Sequence, residues 1–168
     1  MTLITSEPLS PEAFAPFGRI VDPPRDEAHA TGAGWRWWAE TALLHGDGRP
    51  WGIGYLDLTP AELRFDWAER HLRTQEAIFA TSADLLVYVA PPDHPEEAAR
   101  LDSLESFRAF HIPAGRGVVL DTAVWHGAPF TLGDSTAAFV LILEGTGRDD
   151  VTVVRFPETP IDVEVNPE

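Results

Sequence analysis

The side chains best suited to chemistry lie in two short segments. One is Glu69-Arg70-His71-x3-Gln75; the other is Trp125-His126, which follows a Pro113-Ala114-Gly115-x-Gly117 turn. On an extended strand Leu63, Phe65, Trp67, Glu69 and His71 share one face, and Arg64, Asp66, Ala68 and Arg70 share the other. A carboxylate and an imidazole therefore continue a row of large apolar side chains that points toward a core. Burying such groups is costly unless they are paired, bound to metal or used in a reaction. One reading is a polar site inside a β-barrel. The other is a salt-bridged strand end at which Glu69 and His71 reach solvent.

Composition removes several chemistries. The chain has no cysteine, which excludes thiolate catalysis, disulfides and zinc–thiolate sites. All 12 basic residues are arginine, so no lysine is present for Schiff-base chemistry, pyridoxal phosphate anchoring or a P-loop. Neither a Gly-x-Ser-x-Gly elbow nor a Gly-x-Gly-x-x-Gly turn after a strand occurs. A net charge of −15 argues against nucleic acid and anionic membrane surfaces as partners. No segment approaches about 18 consecutive apolar residues, and no basic flank with an apolar stretch opens the chain. The expectation is a soluble cytoplasmic protein acting on a small molecule.

The elements that must position these residues are mostly strands. At 168 residues the chain suits one domain, and 15 prolines with 13 glycines favour a turn-rich β architecture over a helical bundle. Strands are predicted at 51–58, 62–71, 75–80, 84–90, 106–112, 117–121, 136–144 and 150–156, with a further candidate at Trp35-Arg36-Trp37-Trp38. Residues 85–90 and 139–143 are continuous apolar runs of strand length. Ser10 as cap and Pro11 at the first helical position open a short helix that Gly18 closes. Residues 22–34 and 91–97 read as loops, and His29, His45 and His94 as solvated side chains. The fold class is therefore all-β, a sandwich or barrel with short flanking helices. Residues 51–156 would form its core, and residues 1–50 would pack against it.

Strand, Glu-x-His-x3-Gln, hairpin, apolar strand, then a Pro-x-Gly-x-Gly turn and a later histidine resembles the layout of a degenerate cupin. More closely, the chain resembles the ureidoglycolate lyase (ureidoglycolate hydrolase) family. Leu9-Ser10-x-Glu12-x-Phe14-x-x-Phe17-Gly18, Glu69-Arg70-His71 with Thr74-Gln75, Phe107-Arg108-Ala109-Phe110 and Val124-Trp125-His126 carry the likeness in order along the chain. Departures fall at Gly127, where the family pattern has a second histidine, at Leu120-Asp121-Thr122, and around Tyr55-Leu56.

The resemblance implies a cupin-type double-stranded β-helix with antiparallel pairing and an enzyme that splits ureidoglycolate into glyoxylate and urea during purine and allantoin catabolism. His71 and His126 would converge with Glu69 and Gln75, and Glu69 or His126 would act as base. Arg108 is either an anchor for the substrate carboxylate, through its planar fork, or an outward salt bridge. Trp125 and His111 are further candidates for substrate contact. His71, His126, Glu69 and Gln75 also make a plausible N/O set for nickel, iron, manganese or zinc. Small cupins commonly pair through sheet edges, so a homodimer is expected, with Trp35 to Trp38 as a sticky face. The competing function is a cupin of another activity, binding or isomerising a small hydroxy acid or sugar.

Overall fold

The computed structural model describes residues 2–97 and 99–166. Two sheets face each other. The larger, of nine strands, runs in spatial order Thr152–Arg155, Trp67–Arg70, Trp125–His126, Leu85–Ala90, Arg108–Ile112, Thr2–Pro8, Ile161–Glu164 and Arg64–Phe65, while Phe130–Thr131 also pairs with Leu85–Ala90. The smaller runs Gly18–Val21, Gly117–Leu120, Glu76–Ala80, Thr136–Leu143 and Trp51–Leu58. Among the described residues helix is limited to Pro11–Phe14, Thr146–Asp149 and a 3-10 turn at Leu104–Ser106. The fold is all-β, with facing sheets and short flanking helices, as the strand census predicts.

Two hydrophobic cores explain the patterning of Leu85–Ala90. Leu85, Val87 and Val89 face inward, packing with Ile78, Val118, Leu120 and Val140 of the smaller sheet and with Phe14, Phe17 and Phe110. Leu86, Tyr88 and Ala90 face the other way, into a second core with Phe65, Ala68, Phe107, Trp125 and Ile161. A strand buried on both faces has no polar side, hence its continuous apolar run. The Ser10 cap is in place: its hydroxyl accepts from the Ala13 amide at 3.2 Å, and Pro11 opens the helix. Gly18 is required where it stands, because a Cβ there would lie 1.9 Å from the Val119 carbonyl oxygen at a φ of +143°.

Three expectations need correction. The 22–34 segment is not all loop, because Ala30–Gly32 forms a strand that pairs with Trp35–Trp37. Pairing is not wholly antiparallel, because Thr2–Pro8 runs parallel to both Arg108–Ile112 and Ile161–Glu164. These contacts join the two ends of the chain, with no hairpin turn to announce them. The row from Leu63 to His71 is also broken. A bend at Asp66 separates Arg64–Phe65, which pairs with Ile161–Glu164, from Trp67–Arg70, which pairs with Thr152–Arg155. Phe65 thereby joins Ala68 in the second core.

Candidate active site

Cross-strand register brings four inward positions into one line: Val153 pairs with Glu69, Glu69 with His126, and His126 with Val89. Directly paired residues share a face, so Glu69 and His126 stand side by side on the inner surface. His71 follows immediately after the strand. Its main chain is held by the Ala123 amide, which donates to the His71 carbonyl at 2.6 Å. From the smaller sheet, Glu76 alternates with Ile78 and Ala80 and shares their inward face. These four residues meet at a cavity of about 440 Å³ whose walls include Gly54, Leu56, Gly127, Val140, Ile142, Val151 and Val153.

The centre of the site is the Glu76 carboxylate. Its Oε2 lies 3.2 Å from His71 Nε2 and 3.7 Å from His126 Nε2. All three side chains are nearly excluded from solvent. His71 Nδ1 is bound to the Asp150 carbonyl at 2.8 Å and His126 Nδ1 to the Val124 carbonyl at 3.0 Å. A carbonyl only accepts, so each Nδ1 carries its hydrogen and each Nε2 is left facing the carboxylate. Neither Nε2 has a hydrogen-bond partner among the described residues. Two ring nitrogens and an anionic oxygen therefore converge where a positive charge belongs, whether a proton or a metal ion. Burial alone would raise the Glu76 pKa, but attraction to the His126 and His71 imidazoles outweighs it and holds the group at about 2. Burial pulls the His126 pKa down, and the Glu76 charge overrides it to leave a net rise.

His71, His126 and Glu69 each place a ligand atom within 4.8 Å of the others. Imidazole nitrogen and carboxylate oxygen suit a first-row divalent metal. The unpartnered Nε2 atoms fit such an ion better than the amide of Gln75 could.

The other candidates lie elsewhere. Gln75 alternates out of the site: its Oε1 accepts from the His45 amide at 2.8 Å and from Arg19 at 3.2 Å, and its Nε2 donates to Asp121 at 2.6 Å. Arg108 lies one strand beyond Val89 in the inward row. Its guanidinium is nonetheless committed to Glu7, with Nε donating to Oε1 at 2.6 Å, and to the Ala13 carbonyl. Trp125, adjacent to His126, points into the second core, where its indole donates to Asp93 and stacks on the fully buried Arg70. His111 is on the same outer face as Leu86 and pairs with Asp84 at 2.7 Å. The structure thus gathers Glu69, His71 and His126 and leaves Gln75, Arg108, Trp125 and His111 outside. Among the described residues no arginine lines the cavity.

Glu76 is the residue missed from sequence. The parity test applied to Glu69 and His71 would have found it, since Glu76 alternates with Ile78 and Ala80 on the strand that begins just after Gln75. At the departure from the family pattern, Gly127, a Cβ would lie 1.7 Å from the Tyr88 hydroxyl oxygen. No side chain fits there unless Tyr88 moves.

Comparisons with known proteins identify the family. A family model described as ureidoglycolate lyase matches residues 1–164. A protein named ureidoglycolate lyase from Mesorhizobium japonicum is 30% identical over 157 residues, covering 89% of this chain and 91% of the other. Solved structures similar to part of the chain include a serine-to-alanine mutant of Bacillus subtilis oxalate decarboxylase OxdC (18% identity, TM-score 0.41, 64% of this chain). Another is a formate complex of Lactobacillus farciminis oxalate decarboxylase (14% identity, TM-score 0.42, 64% of this chain). The chain spans only 24% and 27% of those two proteins. Nothing in the comparisons favours a sugar-binding or isomerising cupin. On the extent of the family match and the coverage of its relative, the chain belongs to the ureidoglycolate lyase family.

Proposed function

We propose that this protein cleaves ureidoglycolate to glyoxylate and urea. The observation that carries the reading is the convergence of His71, His126, Glu69 and Glu76 on one sheltered cavity. The reacting carbon of ureidoglycolate bears a hydroxyl and the ureido nitrogen. Removing the hydroxyl proton lets its electron pair form the aldehyde C=O as the C–N bond breaks, and the departing nitrogen takes a proton to give urea. Glu69 is half-buried at the cavity wall and is assigned to accept the hydroxyl proton. His126, its cross-strand neighbour, is assigned to deliver a proton from Nε2. Glu76 keeps negative charge against both imidazoles and sustains the positive charge that delivery requires. With Arg108 bound to Glu7, the substrate carboxylate would be received by the positive charge that the imidazoles gather.

A divalent metal would be held by His71, His126 and Glu69, with Glu76 beside it. When bound it would supply Lewis-acid polarisation of the substrate oxygens.

The test is urea release from ureidoglycolate by the purified protein, with and without added nickel, manganese, iron or zinc. Release that disappears in Glu69→Ala and His126→Ala variants of unchanged fold is expected. No release by the wild type under any of these conditions would overturn the reading. The proposed setting is cytoplasmic nitrogen recovery from purine-derived allantoin, which cell fractionation would check.

The proposed assembly is a homodimer through the free edge and outer face of Trp51–Leu58. This strand ends its sheet, and its outward residues Trp51, Ile53 and Tyr55 stand exposed beside Phe139 of the neighbouring strand. Ile53 is 75% exposed and Tyr55 63%, a large apolar surface for residues of a sheet edge. Among the strand's residues only Asp57 is charged, so two chains of net charge −15 meet there with little repulsion. The Ala30–Gly32 and Trp35–Trp37 hairpin, with Trp35 and Trp37 exposed, is a further apolar feature. Light scattering at micromolar concentration should give a dimer that Ile53→Glu dissociates; a monomeric wild type would refute it.

A further inference from the structure

We infer that Asp150 is a positioning residue for His71, a role that rests on His71 belonging to the lyase site. Asp150 is distant from His71 in sequence, yet it holds the turn after Glu69 at three points. Its Oδ1 accepts from the Leu72 amide at 2.9 Å and its Oδ2 from the Arg73 amide at 2.9 Å. Its main-chain carbonyl receives His71 Nδ1 at 2.8 Å. The side chain therefore fixes where the 71–73 backbone stands relative to residue 150, and that placement sets the ring bond. The ring bond in turn decides which nitrogen faces Glu76 and the cavity. Asp150 is itself anchored, with its amide donating to the Thr146 carbonyl at 2.9 Å. Gly147 and Val151, on either side of it, line the cavity. A single short segment thus forms a wall of the site and orients one of its two imidazoles. His126 is tied to Val124 and is independent of Asp150.

That independence supplies an internal control. The Asp150→Asn variant keeps the shape and the main-chain carbonyl but can accept from only one of the two amides; Asp150→Ala accepts from neither. With ureidoglycolate as substrate, kcat should fall about tenfold in the asparagine variant and further in the alanine variant, with KM changed much less. Nitrogen-15 NMR of the imidazoles at fixed pH should show His71 protonated at Nδ1 in the wild type and bonded to the Asp150 carbonyl. In Asp150→Asn the His71 signals should shift or split while those of His126 stay in place. A loss of thermal stability with unchanged kcat and unchanged His71 signals would overturn the proposal. So would a wild-type His71 not protonated at Nδ1, even if neither variant folds. The NMR measurement needs no turnover, so a protein that releases no urea would refute the lyase reading without deciding the role of Asp150.

Discussion

Among the described residues two clusters set a histidine against two or more carboxylates, and they differ in how far water reaches them. Around Glu76, the His71 and His126 rings are buried, each Nδ1 is fixed by a backbone carbonyl, and each Nε2 is unpartnered beside the carboxylate. In the 93–102 loop, His94 has carboxylates on both ring nitrogens, Asp102 at 2.6 Å and Glu96 at 3.3 Å, but the group is open to water. His94, Glu96 and Glu97 satisfy the same ligand spacing as Glu69, His71 and His126. Spacing therefore does not separate them. What differs is that solvent screens the charges around His94, whereas the inner cluster has only itself and the cavity contents to balance its charge.

The strongest challenge to this contrast is at Glu76. Replacing Glu76 with Gln should lower kcat/KM for urea release by about 100-fold or more, the range for losing an acid–base component, whereas Asp102→Asn should leave it unchanged. Equal effects in a parallel assay would erase the distinction. Adjacent residues on one strand offer the next test. His126→Ala should abolish activity even in protein that is still folded, although it leaves Glu76 with only His71 to offset its buried charge and so lowers the thermal midpoint as well. Trp125→Ala, which empties the second core beside Arg70, should cost about 3–5 kcal/mol in a denaturant titration.

A smaller effect is expected at the cavity wall. Gly127→Ala should cost about 1–3 kcal/mol through the clash with Tyr88, and Tyr88→Phe in the same chain should recover part of it. Unchanged stability of the single variant would mean that the wall yields and that Gly127 is not sterically required. The smallest effect belongs to the loop. Hydrogen bonding to Asp102 raises the His94 pKa above 6.5, and Glu96 adds to the rise. Because the folded value is raised, the pair's contribution is complete below pH 6.5 and is lost as pH rises through the folded value. An NMR titration of His94 should show the raised midpoint, and Asp102→Asn should return it toward the ordinary value; no change on substitution would remove Asp102 as the cause.

Much of the barrel was legible because strands announce their faces locally. The 51–58 strand was predicted with the limits it has, and the runs at 84–90 and 136–144 contain Leu85–Ala90 and Thr136–Leu143. Glu69, His71 and His126 were legible as candidates because ionisable side chains in an apolar register are conspicuous. The strands Thr2–Pro8 and Ile161–Glu164 were not, since their pairing depends on chain ends meeting across the whole sequence.

By itself the sequence determined which residues alternate, which chemistries its composition forbids and which family pattern it follows, all of them properties of neighbouring residues or of the chain read in order. Tertiary structure decided which of two buried faces became the site. It placed Glu76 inside and Gln75 outside, turned Arg108 to Glu7 and Trp125 to Arg70, and brought Asp150 against His71. The physical reason is that a strand's period of two divides residues between faces without saying what each face will meet. That depends on partners distant in sequence, and here both faces of the central strands found a core.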